Sequence, residues 1–371
     1  MISEELTMKT ITNHQVVVTG HGGPDVLEVT EAQLPEPGPG QVRVKVLAAG
    51  VSAFDLIYRR WAHLPGRPDV PFTLGEDIVG LVDERGPGAA AFEVGTMVAG
   101  ATWARGVGGG YAEYVCLPEA DLVVVPAGVD PAEAVCVVVN YLTAYEHLHD
   151  IGGARPGDRV LVHGAAGGVG TALLQLGKLA GLEMYGTAVR DQHELVAALG
   201  ATPIDYRTED FVTRIKYLTG DGVDIVVDPV GGSRHLWRSY RTLRRGGRLV
   251  WLGSAAVDKQ GLRVGPLSMA TVFLLRLIPD GKRVPRCPTM DKYAKAHPGW
   301  LRRTLTELLD DLAEGRIQPV IAERIPLEEA GRAHELLERG GHRGKVVLTT
   351  GAYRGRSAFR QRSRHDQSNT E

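Results

Sequence analysis

One run constrains the fold more than any other part of the chain. Arg159-Val-Leu-Val-His-Gly-Ala-Ala-Gly-Gly-Val-Gly170 leads without a break into Thr171-Ala-Leu-Leu-Gln-Leu-Gly-Lys-Leu-Ala180. A β-type run, a glycine turn and an amphipathic helix in this order are how a parallel sheet presents free helix N–H groups to an anion. Gly167 has no Cβ to hold phosphate oxygens off the backbone, Gly168 and Val169 continue the turn, and Gly170 lets the helix pack closely on the strand. Val169, Ala172, Leu173, Leu176 and Leu179 recur at three- and four-residue spacing, a stripe suited to lie on a sheet. Ala165 replaces the first glycine of the G-x-G-x-x-G fingerprint, with Gly164 just before it. An ordinary glycine-rich turn shares this composition; the strand before it and the helix after it favour a dinucleotide pyrophosphate site.

A chain of 371 residues, 43% apolar, is too long for one ordinary core, so two domains are expected. The formal charge of −2, with acids and bases mixed, leaves no basic face for nucleic acid and no polybasic membrane patch. Cys116, Cys136 and Cys287 lie far apart without a C-x-x-C, which argues against a structural zinc site or a disulfide framework and fits a reducing cytoplasm. The start of the chain lacks a signal-peptide core. The longest apolar stretch, 269–278, is too short for a span and is interrupted by Arg276, so a soluble protein is expected.

Up to about residue 125, short β-type runs such as Val42-Arg-Val-Lys-Val-Leu47, Ile78-Val-Gly-Leu-Val82 and Leu122-Val-Val-Val125 are punctuated by Pro and Gly, which reads as a barrel-like domain. From Pro131 helices and strands alternate, with strands expected at 159–163, 183–188, 223–228 and 248–253, the pattern of a doubly wound parallel sheet. Amphipathic helices are expected at 300–314 and 327–338 and a final strand at 345–349, returning to the first domain. The boundaries expected are 8–130 and 285–350 for that first domain, 131–284 for the nucleotide-binding domain, and 351–371 for a disordered tail.

Several motifs in order along residues 12–350 resemble the medium-chain dehydrogenase/reductase superfamily. They are Gly75-Glu-Asp-Ile-Val-Gly-Leu-Val82, Asn140-Tyr-Leu-Thr-Ala-Tyr145, the A-A-x-G-G-V-G turn, Val227-Asp-Pro-Val-Gly-Gly232 and His342-Arg-Gly-Lys-Val-Val-Leu348. Within it the chain is most similar to the zinc-independent quinone oxidoreductases, the branch that includes ζ-crystallin and the vesicle-amine-transport-like proteins. The resemblance implies an α/β protein: a Rossmann doubly wound parallel sheet plus a GroES-like β-barrel catalytic domain, NADPH in the cleft and a homodimer. It also implies that zinc relatives carry a cysteine where this chain has Ser52, a His-Glu pair where it has Glu76-Asp77, and a second cysteine near Val139. No soft ligand set remains and His147 and His149 face different ways, so no metal is expected.

An NAD-specific fold places an acid about 20 residues past the glycines. Thr187 occupies that place here and Arg190 follows, within reach of a 2′-phosphate, although a solvated surface arginine is the alternative. Asp191 reads as a helix cap with Glu194 as its capping-box partner. Gln192 stands where relatives carry lysine, and Tyr206 matches a family tyrosine near the adenosine phosphate. The resemblance places Asn140, Thr143, Gly253 with its strand backbone, and Lys345 at the nicotinamide end. Thr143 as a buried hydroxyl and Lys345 as an ordinary exposed lysine are the alternatives.

Quinone reduction needs a placed hydride and a proton, not a triad. Val51-Ser-Ala-Phe-Asp-Leu-Ile-Tyr58 matches the substrate-cleft helix, with Ser52 where Asn is common and Ile57 where Tyr is common. Tyr58, Ser52 and Asp55 are the catalytic-site candidates: Tyr58 as proton donor or substrate hydrogen-bond group, or else a core tyrosine, and Asp55 as the family aspartate, read as anchoring the loop; Trp61, Trp103 and Tyr111 are candidate aromatic walls. The leading expectation is an NADPH-dependent reductase of quinones. Reduction of an α,β-unsaturated carbonyl or enoyl thioester, and a non-catalytic nucleotide-binding protein, are the alternatives. The stretch 269–279 reads as a lid or dimer-edge segment, or as plain core.

Overall fold

The computed structural model describes residues 12–61, 69–102, 109–253, 261 and 264–354. The sequence's alternating pattern sets the first domain. In the strand Gln41–Val51, Val42, Val44 and Val46 are fully buried, while Arg43 on the other face pairs with Asp83 at 2.7 Å and with Glu84 at 2.6 Å. That strand is the hub of a seven-stranded sheet, pairing antiparallel with Asp77–Arg85, Tyr114–Pro118 and Lys345–Thr349. A three-stranded sheet of Leu27–Gln33, Thr12–Val18 and Phe72–Thr73 joins it through the bridge Gln15↔Ala112. The distant strand Lys345–Thr349 thus completes a sheet begun near the N-terminus.

The second unit is a five-stranded parallel sheet in the order Ala201–Asp205, Glu183–Ala188, Arg159–His163, Val223–Asp228, Leu243–Trp251. Its strands are buried on both faces, as helix-covered parallel sheets require. The chain runs outward from Arg159–His163 in one direction, then crosses back to Val223–Asp228 on the other side. The C-terminal ends of these two strands therefore frame a topological switch point, where α/β sheets bind ligands. The last strand begins at Leu243, five residues before the 248 expected. Gly246, at φ +85°, and its neighbour Gly247 turn the backbone without ending the pairing, whereas glycines in sequence read as a break.

Residues 131–151 form one helical stretch that joins the domains and contains π-helical turns at Val137–Tyr141 and Glu146–Ile151. Stretch 269–279 belongs to a helix, Val264–Arg276. Ser268, Val272 and Leu275 are buried, while Leu267, Met269, Phe273 and Leu274 are exposed, so it is half core and half surface rather than plain core. Helical structure also continues through 351–354, where the Tyr353 hydroxyl donates to Asp130 Oδ2 at 3.2 Å; the expected tail is ordered at its start, and the remainder of it lies outside the described residues. No described helix is long and apolar enough to cross a membrane.

Candidate functional site at the domain cleft

The glycine turn sits at the switch point. Gly164 leaves the strand at φ +66°, and Gly167 caps the helix Gly168–Leu179 with no side-chain acceptor, so the first helical N–H groups remain available. A Cβ on Gly170 would run into Gly164 O and the Ala165 backbone, and one on Gly168 into the Asn140 amide. Ala165 is fully buried and donates its N–H to Thr187 O at 3.0 Å; its methyl lies against Gly186, where an added Cβ would come within 2.6 Å. Gly186 is thus the partner that makes room for the alanine, a compensation between strands that local sequence does not reveal. Val169 is half-buried against the core.

At the adenosine end the structure separates the candidates. The register pairs Ala188 with Asp205, so Arg190 and Tyr206 emerge just past the ends of neighbouring strands, both exposed, with exposed Arg207 beside Tyr206. Arg207 was missed because it follows a strand end and belongs to no fingerprint. Thr187 is corrected: it is 2% exposed, and its hydroxyl faces His163 Nδ1 at 3.1 Å and accepts the Gly164 N–H at 3.3 Å. It braces the turn from within instead of facing a ribose. Asp191 is no helix cap, because Arg190–Gln192 forms a short 3-10 turn and the following helix has no side-chain cap. Gln192 is also unavailable to a phosphate, since its amide donates to Gly341 O at 3.2 Å and His342 O at 3.1 Å across the domain boundary.

The nicotinamide candidates meet where the two domains touch. Gly344 N–H donates to Ala166 O at 2.8 Å, forming a bridge between Gly344 and Gly167. The next residue, Lys345, is buried; its Nζ donates to Asp77 Oδ2 at 2.9 Å and approaches Asn140 Oδ1 at 3.5 Å. Gly50 makes this possible, because a Cβ there would strike both Asp77 and the lysine chain. Burial alone would depress the ammonium, but the Asp77 carboxylate outweighs it and raises the Lys345 pKa. Lys345 is therefore not an ordinary exposed lysine. Asn140 lies in a π-helical turn with its amide against Gly168, and Thr143 is half-buried three residues along. Gly253 lies two residues past the end of the strand Leu243–Trp251.

Across the cleft, Ser52 caps the helix Ala53–Arg60 in a reciprocal capping box with Asp55. The Ser52 hydroxyl accepts the Asp55 N–H at 3.2 Å and donates to Glu76 Oε2 at 2.9 Å. Asp55 is fully buried, taking the Ser52 N–H at 2.7 Å, the Gly75 N–H at 3.1 Å and the Tyr111 hydroxyl at 3.2 Å. It is a positioning residue, and its carboxyl is pushed up to about 6, first by burial. Tyr111 is also corrected, from cleft wall to buried anchor; Trp61 is half-buried, and Trp103 lies outside the described residues. Tyr58 is half-buried, and its hydroxyl is made a weaker acid by burial and then by the charge of Glu76. Glu76 itself is pushed up to about 8, first by burial and then by Asp55, which favours its protonated form. Sequence reasoning weighed Glu76 only as a metal ligand; the adjacent acids Glu76-Asp77 were the available signal.

The chain matches two family descriptions: alcohol dehydrogenase GroES-like domain over residues 38–127 and zinc-binding dehydrogenase over residues 199–348. It is 35% identical over 351 residues to the synaptic vesicle membrane protein VAT-1 homolog of Rattus norvegicus, covering 91% of this chain and 84% of that one. It is 34% identical over 339 residues to a quinone oxidoreductase of Pseudomonas aeruginosa, covering 90% and 98%. The Escherichia coli quinone oxidoreductase solved in complex with NADPH superposes with a TM-score of 0.79 at 28% identity, covering 91% of this chain and 99% of that one. The zinc in the second description finds no donor set among the described cleft residues. Ser52 is bonded to Glu76 and Asp77 is held by the Lys345 ammonium, and the one group of three metal-ligating side chains found among the described residues, His163, Asp228 and His235, lies outside this cluster. Along nearly its whole length, then, in fold and in the order of its motifs, this chain belongs to the medium-chain dehydrogenase/reductase superfamily, in its quinone oxidoreductase branch.

Proposed function

We propose that this protein is an NADPH-dependent reductase that delivers hydride to a quinone without help from a metal in the cleft. The observation that carries the reading is the bridge of Gly344 to Gly167, which sets the buried Lys345–Asp77 pair and Asn140 beside an anion-ready helix N-terminus. NADPH, when bound, supplies the hydride. Gly167, Gly168, Val169 and Gly170 hold its pyrophosphate, and Arg190 with Tyr206 flanks the 2′-phosphate. Asn140, Thr143, Lys345 and Gly253 line the nicotinamide end. Hydride addition turns a quinone into a hydroquinone monoanion, and one proton completes the reaction. Glu76 is the best-placed acid: with its pKa raised above the ordinary carboxylate range and its carboxyl oriented by Ser52, it gives that proton to the acceptor oxygen and is recharged from water. Tyr58 is the weaker acid beside it. The exposed apolar face of Val264–Arg276 supports a homodimer, and the Gln15↔Ala112 bridge supports reading the two sheets of the first domain as one barrel.

The test is loss of reduced-nicotinamide absorbance with NADPH and NADH in parallel, against a naphthoquinone and against an enone. Rapid loss with NADPH and the quinone, reduced about 100-fold in kcat by Glu76→Gln with KM for NADPH unchanged, is the expected result. Loss with the enone alone moves the activity to ene reduction, and cofactor binding without turnover on either acceptor refutes a general reductase.

A further inference from the structure

We propose that His163, Asp228 and His235, with Ser239 as a fourth donor, form a structural site for a zinc-class divalent cation at the switch point of the parallel sheet. His163 ends the strand that feeds the glycine turn, Asp228 ends the adjacent strand, and His235 and Ser239 lie one turn apart on the helix Ser233–Arg241. One donor atom from each of His163, Asp228 and His235 lies within 4.8 Å of the others. His235 Nε2 stands 3.6 Å from Asp228 Oδ2, and the Ser239 hydroxyl lies 3.1 Å from His163 Nε2 and 2.7 Å from Asp228 Oδ2. Bonds of about 2.1 Å in a tetrahedron give donor separations of roughly 3.4 Å, and two imidazoles with one carboxylate suit zinc.

The surroundings are those of a supported ligand set. Asp228 Oδ1 already accepts the N–H groups of Val230 at 2.9 Å and Gly231 at 3.0 Å, so Oδ2 is held toward the imidazoles. His163 Nδ1 faces the Thr187 hydroxyl at 3.1 Å, the second contact that orients a metal-binding imidazole. His235 Nε2 is buried without a hydrogen bond, while the side chain as a whole is 24% exposed and offers a way in from solvent. The nearby cation Arg238 is bonded to Asp210 at 2.6 Å. In the metal-free arrangement Ser239 donates to Asp228, so it accepts from His163 Nε2. Loading moves the His163 proton from Nε2 to Nδ1, where it is donated to Thr187, and the proton count does not change. The cation ties the base of the glycine turn to the adjacent strand, and its role is to stiffen the turn, not to act on substrate.

The experiment titrates the metal-stripped full chain with Zn2+ against a chromophoric chelator and follows thermal unfolding with and without the metal. One zinc per chain, a raised Tm, and at least about a tenfold loss of affinity in H235A and in D228N are expected. H235A, at a partly exposed position, serves as the variant expected to fold. No binding at micromolar free zinc, or wild-type affinity in a folded H235A, overturns the site and leaves a hydrogen-bond network only. Zinc lost from E76Q but kept by H235A would put the metal in the cleft and overturn it equally.

Discussion

Removing the Lys345 ammonium while leaving Asp77 in place isolates a contact that the chain builds from residues 268 positions apart. With side chains only 3% and 0% exposed, Lys345→Met strands a carboxylate that water cannot reach. Breaking one side of a buried pair costs about 3–5 kcal/mol, mostly the penalty of the orphaned charge. For the 371-residue chain the unfolding entropy at about 2.1 cal/mol/K per residue is roughly 0.8 kcal/mol/K, so Tm falls by about 4–6 °C. Asp77→Asn is expected to cost a similar amount. The double variant buries no charge, so its loss is expected to be smaller than the sum of the singles by about 2 kcal/mol or more. Differential scanning calorimetry on the four proteins reads this directly. A Tm drop below about 1 °C in both singles, or strict additivity in the double, would refute the reading of this pair as a desolvated ion pair.

Glu76 gives the pH prediction. Its folded pKa of about 8 exceeds the ordinary 4.5, so between those values the native state keeps a proton that the unfolded chain has released, and stability falls as pH rises through that window. Tm measured from pH 5 to 8.5 should decline less steeply in Glu76→Gln; parallel curves would sink the assignment. For the adenosine end, Arg190→Ala should raise KM for NADPH by about 10–100-fold and leave KM for NADH nearly unchanged, as loss of a charged hydrogen bond predicts; an equal effect on both cofactors would count against a 2′-phosphate contact. Gly186→Ala should cost about 1–3 kcal/mol by overpacking against Ala165, and adding Ala165→Gly should recover most of it. Urea midpoints without that recovery would show that the two positions do not compensate.

Local pattern was enough for much of this protein. The strands at 159–163, 183–188, 223–228 and 345–349 lie where alternation and apolar runs put them, and the glycine turn reads directly, because steric exclusion at Gly170 and free N–H groups at a helix start are properties of neighbouring residues. The Ser52–Asp55 capping box is just as local, although in sequence Asp55 reads only as a loop anchor and Ser52 is not named as a cap. What tertiary structure decided involves partners remote in the chain. Thr187 turned inward to His163 and Gln192 was taken by the returning segment, which left Arg190, Tyr206 and Arg207 at the surface. The protonation of Glu76 and the charge on Lys345 were equally hidden, since each depends on how much water the assembled cleft excludes and on carboxylates brought alongside by folding. Backbone propensity and side-chain spacing are written along the sequence; desolvation and long-range electrostatics exist only once distant segments share one interior.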